Sequence, residues 1–179
     1  MKTFEFSVVA SGLDPEAEGF ADRFFEAGCD DATVGFQKGR IILDFARDAA
    51  CLDEAIASAV AAVTAAGAKV DRVEPDPLVS LSDIAARTGM SRAAMSLYAK
   101  GERGRNFPAP VARVTSESPL WDWSSVARWM FENNKVDRGT ALEAEIVRYA
   151  NTAIGDGKDH IADRLKQRAA EYDAELEAA

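Results

Sequence analysis

Residues 81–103, LSDIAARTGMSRAAMSLYAKGER, constrain the fold of this chain more than any other stretch. They read as two short helices joined by a tight turn at Gly89. Gly89 supplies a turn residue that tolerates positive φ. Ala85 sits four residues earlier, where a bulky side chain would push two crossing helices apart. Ile84, Met90, Met95 and Tyr98 occupy packing positions. Ser91 can cap the second helix by accepting a backbone N–H. With that phase fixed, Ser91, Arg92, Ala93, Ser96 and Lys100 are expected to face outward.

The chain has 179 residues, 47% of them hydrophobic. That is enough for one or two small domains with a packed core, and it excludes global disorder. No apolar run is long enough to cross a bilayer, so no membrane partner is expected. The opening MKTFEFSVVASGLDPEAEGF lacks the basic start, apolar stretch and cleavage site of a signal peptide. The two cysteines, Cys29 and Cys51, are not spaced for a metal. They read as reduced thiols near helix ends in a cytoplasmic protein. The single histidine, His160, lies beside Asp159 in an acidic helix start and reads as exposed. No metal site and no cofactor are expected.

Enzyme readings fare badly. One histidine supplies no credible Ser–His–Asp set. No glycine-rich phosphate loop follows a strand, because Gly155-Asp156-Gly157 lies between helices. Asp30-Asp31 sits in a turn, where the two carboxylates cap or solvate.

The net charge of −9 is unevenly spread. Residues 1–77 carry 15 acidic and 7 basic side chains, residues 78–135 carry 5 and 8, and residues 136–179 carry 10 and 6. The middle segment is therefore the only positive one. Phosphate attraction is screened over roughly 8–10 Å at physiological salt, so a locally basic face can bind DNA on an acidic protein.

The expected fold class is α+β in three parts. In residues 1–77, Phe4, Phe6 and Val8 give a period-two strand over 2–10. Asp14 is expected to cap a helix with Pro15, Glu16 and Glu18 at its start and Phe20, Ala21, Phe24 and Phe25 as its apolar stripe. Residues 32–36 and 40–45 form a hairpin turning near Lys38-Gly39. Leu52, Ile56, Val60 and Val63 mark a second helix ending at Gly67, and 69–73 a last strand before a linker at Pro75 and Pro77. This order is that of the ferredoxin-like βαββαβ domain, with an open sheet face carrying Glu5, Ser7 and Asp44. Residues 78–135 follow, with a helix starting at Ser124 or Ser125. In 136–179, Leu142, Ile146, Tyr149 and Ala153, then Ile161, Leu165, Ala169, Tyr172 and Leu176, mark a C-terminal helical hairpin.

In a helix-turn-helix, the N-terminal residues of the second helix contact base edges in the major groove. Arg92 is the expected base reader, gripping guanine O6 and N7 with two hydrogen bonds. Ser91 and Ser96 suit bases or phosphates, and Ala93 a thymine methyl. Lys100, Arg103 and Arg105 are expected phosphate clamps, with Ser82 and Thr88 as weaker ones. Trp121, Trp123 and Trp129 read as core or wing packing.

Residues 78–131 resemble winged helix-turn-helix domains of the MerR and excisionase type. Leu81, Ile84-Ala85, Thr88-Gly89, Ser91-Arg92, Phe107-Pro108-Ala109-Pro110 and Leu120-Trp121 leading into Val126-Ala127-Arg128-Trp129 carry the likeness. The resemblance implies a two-stranded wing built from the Phe-Pro and Leu-Trp segments, with Arg103, Arg105 and Arg113 as wing-side contacts. The expected function is that of a sequence-specific transcriptional regulator on double-stranded DNA. Homodimerisation is expected through the C-terminal stripes or the open sheet face. The alternative is an antitoxin or immunity-type protein whose acidic domains bind a protein partner, with DNA binding for autoregulation. A third reading makes the N-terminal domain a small-molecule sensor, by fold-level analogy.

Overall fold

The computed structural model of the chain describes residues 1–157 and 160–179; Asp159, the expected neighbour of His160, lies outside them. The fold is α+β. The chain divides into two units, one of Met1–Pro75 with Ile146–Asp173, the other of Asp76–Glu145 with Ala174–Ala179. Residues 136–179 thus supply chain to both.

The first unit is built on alternation. β1 (Lys2–Ser11), β2 (Ala32–Gln37), β3 (Arg40–Ala49) and β4 (Lys69–Glu74) form one antiparallel sheet in the order β2-β3-β1-β4. Pairing sets Phe6 opposite Phe45, Val8 opposite Leu43 and Ala10 opposite Ile41, all buried. A one-residue slip would turn this whole row to the other face. On the other face Ser7 stands opposite Asp44 and Thr3 opposite Asp48, each hydroxyl donating to the carboxylate at 2.5 Å. Glu5 is exposed there, as read from the alternation, but Val9 on the same face is buried. The β2–β3 turn is two residues, Lys38 and Gly39, at φ 51° and 76°. Such left-handed pairs match the twist of the flanking strands.

Two sequence expectations fail in this unit. Asp14 does not cap a helix. Its Oδ1 accepts the Glu16 N–H at 3.0 Å, a local turn, and α1 runs only from Phe20 to Glu26 behind Gly19. A short carboxylate that satisfies its own backbone competes with the helix rather than starting it. Of the expected stripe Phe24 is fully buried, whereas Phe25 is 66% exposed. Second, Asp31 is not a solvated turn residue. It receives two hydrogen bonds, 2.8 and 2.7 Å, from the buried Arg47 of β3. Arg47 also donates to the Gly28 carbonyl and to Ser58 Oγ, and its guanidinium lies 4.7 Å from the Phe45 ring centroid.

α2 (Leu52–Ala65) turns its Ala55, Ile56, Ala59 and Val63 inward. α6 (Arg138–Gly155) has a broader buried face than its expected stripe, including Ala144, Val147 and Ala150, whereas α7 (Ile161–Glu177) buries only Leu165, Tyr172 and Leu176 of its own. Of the expected stripes, Ile146, Ala153, Leu165, Tyr172 and Leu176 are buried within the single chain, and Leu142, Tyr149, Ile161 and Ala169 are half-buried. Asn151 pairs with the backbone of β4: its amide donates to the Val73 carbonyl and its oxygen accepts the Val73 N–H.

The second unit holds β5 (Leu78–Val79), α3 (Leu81–Thr88), α4 (Arg92–Ala99), β6 (Trp121–Asp122) and α5 (Trp123–Glu132). Its core joins Val79, Ile84, Met95, Tyr98 and Met130 to Trp121, Trp123 and Trp129. α5 is capped by Asp122, whose carboxylate accepts the Ser125 N–H at 2.8 Å, not by Ser124 or Ser125. Ser124 is instead buried and donates to Glu145 at 2.6 Å. Among the described residues no helix is long and apolar enough to cross a membrane.

Candidate nucleic-acid interface

α3 begins with a reciprocal cap. The Ser80 hydroxyl accepts the Asp83 N–H and the Asp83 carboxylate accepts the Ser80 N–H, satisfying two orphan donors. The Ser80 hydroxyl also donates to the Asp83 carboxylate at 2.6 Å, and that bond with the one from the Ser80 N–H favours the ionised form and holds the Asp83 pKa below its ordinary value. The helix ends at Gly89, φ 67°, and the Met90 N–H closes the turn onto the Ala85 carbonyl. α4 follows at once, with Ser91 accepting the Ala94 N–H at 3.1 Å as its cap. Ala85 is buried between the helices, and Met95 and Tyr98 turn the inner face of α4 to the core.

That phase places Ala93, Ser96, Leu97 and Lys100 on the outward side. Ser91, Arg92, Ala93 and Lys100 are exposed, and Ser96 is half-buried at the flank. Leu97, 37% exposed, stands centrally on this face and was missed by the sequence reading. Its signal was present: once Met95 and Tyr98 are inside, spacing alone puts Leu97 between Ala93 and Lys100. Arg92 is not free-standing. Its Nε donates to Ser82 Oγ on α3 at 3.0 Å, which leaves both terminal amino groups without a protein hydrogen bond among the described residues.

Beyond α4 the chain runs through Gly101-Glu102-Arg103-Gly104-Arg105-Asn106, exposed throughout. This loop is nevertheless pinned. Trp129 Nε1 donates to the Arg105 carbonyl at 2.8 Å, and the Arg103 guanidinium lies 5.4 Å from the Tyr98 ring centroid. Phe107, Tyr98 and Trp129 pack as an aromatic trio, with ring centroids 5.1 to 6.0 Å apart. Gly104 rests on that trio at φ 73°. A Cβ there would lie 3.0 Å from Trp129 and 3.2 Å from Tyr98. Lys100, Arg103 and Arg105 therefore extend from a backbone whose position is set by the core.

Two of the segment's basic side chains are used inside the fold. Arg87 lies 5.2 Å from the Trp123 ring centroid and donates to the Asp76 carbonyl, and burial lowers its pKa. Arg128 is paired with Glu132 and Glu175. The other basic side chains of the segment, Arg92, Lys100, Arg103, Arg105, Arg113 and Lys135, are exposed.

The expected wing takes a different pairing. β6 pairs with β5, through Leu78 opposite Asp122 and Val79 opposite Trp121, not with the Phe-Pro segment. Phe107 and Pro108 pack instead: Phe107 against Tyr98 and Trp129, and Pro108 by its carbonyl accepting the Trp121 Nε1–H. A short hairpin forms just past them, where Val111 and Ala112 bond to Leu120. Its tip, residues 113–118, presents Arg113 and Val114, and Val114 is 61% exposed. The tip, Arg-Val-Thr-Ser-Glu-Ser, is rich in hydroxyls and carries one cation, Arg113, and one anion, Glu117.

Among the described residues no group of three or more His, Cys, Asp or Glu side chains could hold a metal ion. Burial pushes both thiols up, Cys51 to about 11. Comparisons with family models, curated proteins and solved structures find no match to this chain.

Proposed function

We propose that this protein is a sequence-specific regulator that lays α4 in the major groove of double-stranded DNA. The observation that carries the reading is the continuity of one surface. The outward side of α4 runs without interruption into a loop whose arginines stand on a core-pinned backbone. Preorganised cations lose little entropy when they meet phosphates. Arg92, with its Nε held by Ser82, keeps its two terminal amino groups for a guanine. Leu97 and Ala93 offer apolar contact to thymine methyls, Ser91 and Ser96 take bases or phosphates, and Lys100, Arg103 and Arg105 clamp phosphates.

The first unit, with its strand order β2-β3-β1-β4 and two intervening helices, supports a ferredoxin-like reading. We read it as the part that brings two copies together, so that two α4 helices meet half-sites about 34 Å apart.

Selection of bound fragments from genomic DNA, followed by footprinting, tests the reading. Arg92→Ala is expected to cost about 1–3 kcal/mol on the selected site and to relax preference at one base position. Absence of any retarded complex at low salt would sink it.

A further inference from the structure

The two edges of the four-stranded sheet are treated in opposite ways. β4 is guarded. It carries Lys69, Asp71, Arg72 and Glu74, its register with β1 shifts by one residue between Val70 and Arg72, and Asn151 occupies its backbone at Val73. Charge, bulge and cover are the usual defences of an exposed edge. β2, the other edge, has neither the charge nor the bulge. Its sequence is Ala-Thr-Val-Gly-Phe-Gln, without charge, proline or bulge, and Phe36 is 50% exposed.

The ladder fixes which backbone groups are free. The Ala46 N–H bonds to the Asp31 carbonyl, and the β2–β3 register is unbroken from there to the turn. Odd-numbered residues of β2 therefore bond to β3, and Val34 and Phe36 direct their N–H and C=O groups to the open edge, as Ala32 does its C=O; the Ala32 N–H is held by the Cys29 carbonyl at 3.1 Å. Ala32, Val34 and Phe36 also share the face of Phe45, Leu43 and Ile41, the buried side of the sheet.

We infer that β2 pairs antiparallel with β2 of a second copy of this chain, about a two-fold axis at Val34, making one continuous eight-stranded sheet. This register sets Ala32 opposite Phe36 of the second copy and Val34 opposite Val34. The two Val34 residues exchange both their bonds, each Phe36 N–H finds the Ala32 carbonyl of the other copy, and the apolar row continues across the axis. Charge selects the occupant. The first 77 residues carry a net −8, which works against contact between two copies through their charged faces and least along this uncharged strip. At each end of that strip the register brings the turn that carries Asp30 beside the hairpin turn that carries Lys38 of the other copy. Asp30 and Lys38 are both exposed, and neither side chain has a hydrogen bond or ion pair among the described residues. The inference is independent of the DNA reading, because its test contains no DNA.

Sedimentation equilibrium of the full chain at about 50 µM is expected to give twice the 19.3 kDa chain mass. Val34→Pro removes an outward N–H while leaving the β2–β3 bonds intact, and is expected to give 19.3 kDa with an unchanged far-ultraviolet spectrum. Lys38→Glu is expected to weaken the dimer at least tenfold, and Asp30→Lys combined with Lys38→Glu to restore it. This pair keeps the proposal testable should the proline variant fail to fold. A monomeric wild type, as expected if the edge receives a strand from another protein, overturns the inference. So does a dimer that survives both Val34→Pro and Lys38→Glu, which would lie at another face.

Discussion

Arg47 holds more of the first unit together than any other polar side chain, and nothing in its sequence neighbourhood announces it. Its position in the β3 alternation is legible: it falls on the buried parity with Ile41, Leu43 and Phe45. What is not legible is that a charge occupies a core position because a loop carboxylate, a carbonyl and a hydroxyl converge on it. Asp31 was read as solvated for the same reason, since its partner lies sixteen residues away across the ladder. Arg47→Ala is expected to cost about 2–3 kcal/mol in urea unfolding, less than a fully buried pair because Asp31 keeps 28% of its side chain exposed. Arg47→Lys is expected to recover part of that loss, since an ammonium keeps the charge but not the fork. The Arg47 hydrogen bonds hold the Asp31 pKa below its ordinary 3.8. A lowered acid pKa stabilises the fold at pH values above the unfolded value, and that contribution is lost as pH falls through the folded one. Asp31→Asn is therefore expected to flatten the stability-versus-pH curve below about pH 4. The two thiols make a separate prediction. With its pKa near 11, Cys51 is almost wholly protonated at pH 8, so alkylation by iodoacetamide is expected to be slow in the native chain and fast in urea.

Elements were easiest to read where a turn residue and a periodic face agreed. Gly89 with Ala85, and Lys38-Gly39 between alternating strands, carry their geometry in their residue types. Caps were harder, because several Ser and Asp residues compete for each start. Asp122 takes α5 from Ser124 because Ser124 is needed inward for Glu145. Asp14 was read as a cap on composition alone, and its local turn wins. The reciprocal Ser80–Asp83 cap was visible as Ser-x-x-Asp and went unread. The wing was misread in its pairing, since the strand that completes β6 is Leu78–Val79, some forty residues upstream. No local pattern encodes such a partner. The arginine loop is the element whose integrity is simplest to test. Gly104→Ala places a methyl on Trp129 and forces an alanine to φ 73°. It is expected to lower stability by about 1–3 kcal/mol in thermal unfolding, and to weaken DNA binding beyond what that loss explains. Arg105→Ala, which leaves the Trp129 bond to a backbone carbonyl in place, is expected to weaken binding without changing the melting temperature.

At the scale of the whole molecule the charge map and the β2 edge make one joint prediction. The chain is acidic, yet α4 and the loop after it expose Arg92, Lys100, Arg103 and Arg105, and the hairpin tip that follows exposes Arg113. Each cation that neutralises a phosphate releases counterion, so log K falls against log salt with a slope of about −0.9 per contact. A single copy using these five side chains on phosphates is bounded at a slope of about −4.5, and a dimer spanning two half-sites at about −9. Arg92 reading a base rather than a phosphate reduces each bound by about one per copy. Lys100→Ala is expected to remove about one unit of slope per copy and to weaken all sequences alike. Val34→Pro, which touches no cation, is expected to halve the wild-type slope by halving the number of copies on the DNA. Fluorescence anisotropy titrations between 50 and 200 mM salt read this directly. A halved slope in Val34→Pro joins the two proposals in one assembly. An undiminished slope in a variant shown to be monomeric would mean that one copy makes the whole contact, and that the second unit reaches DNA without the pairing of the first.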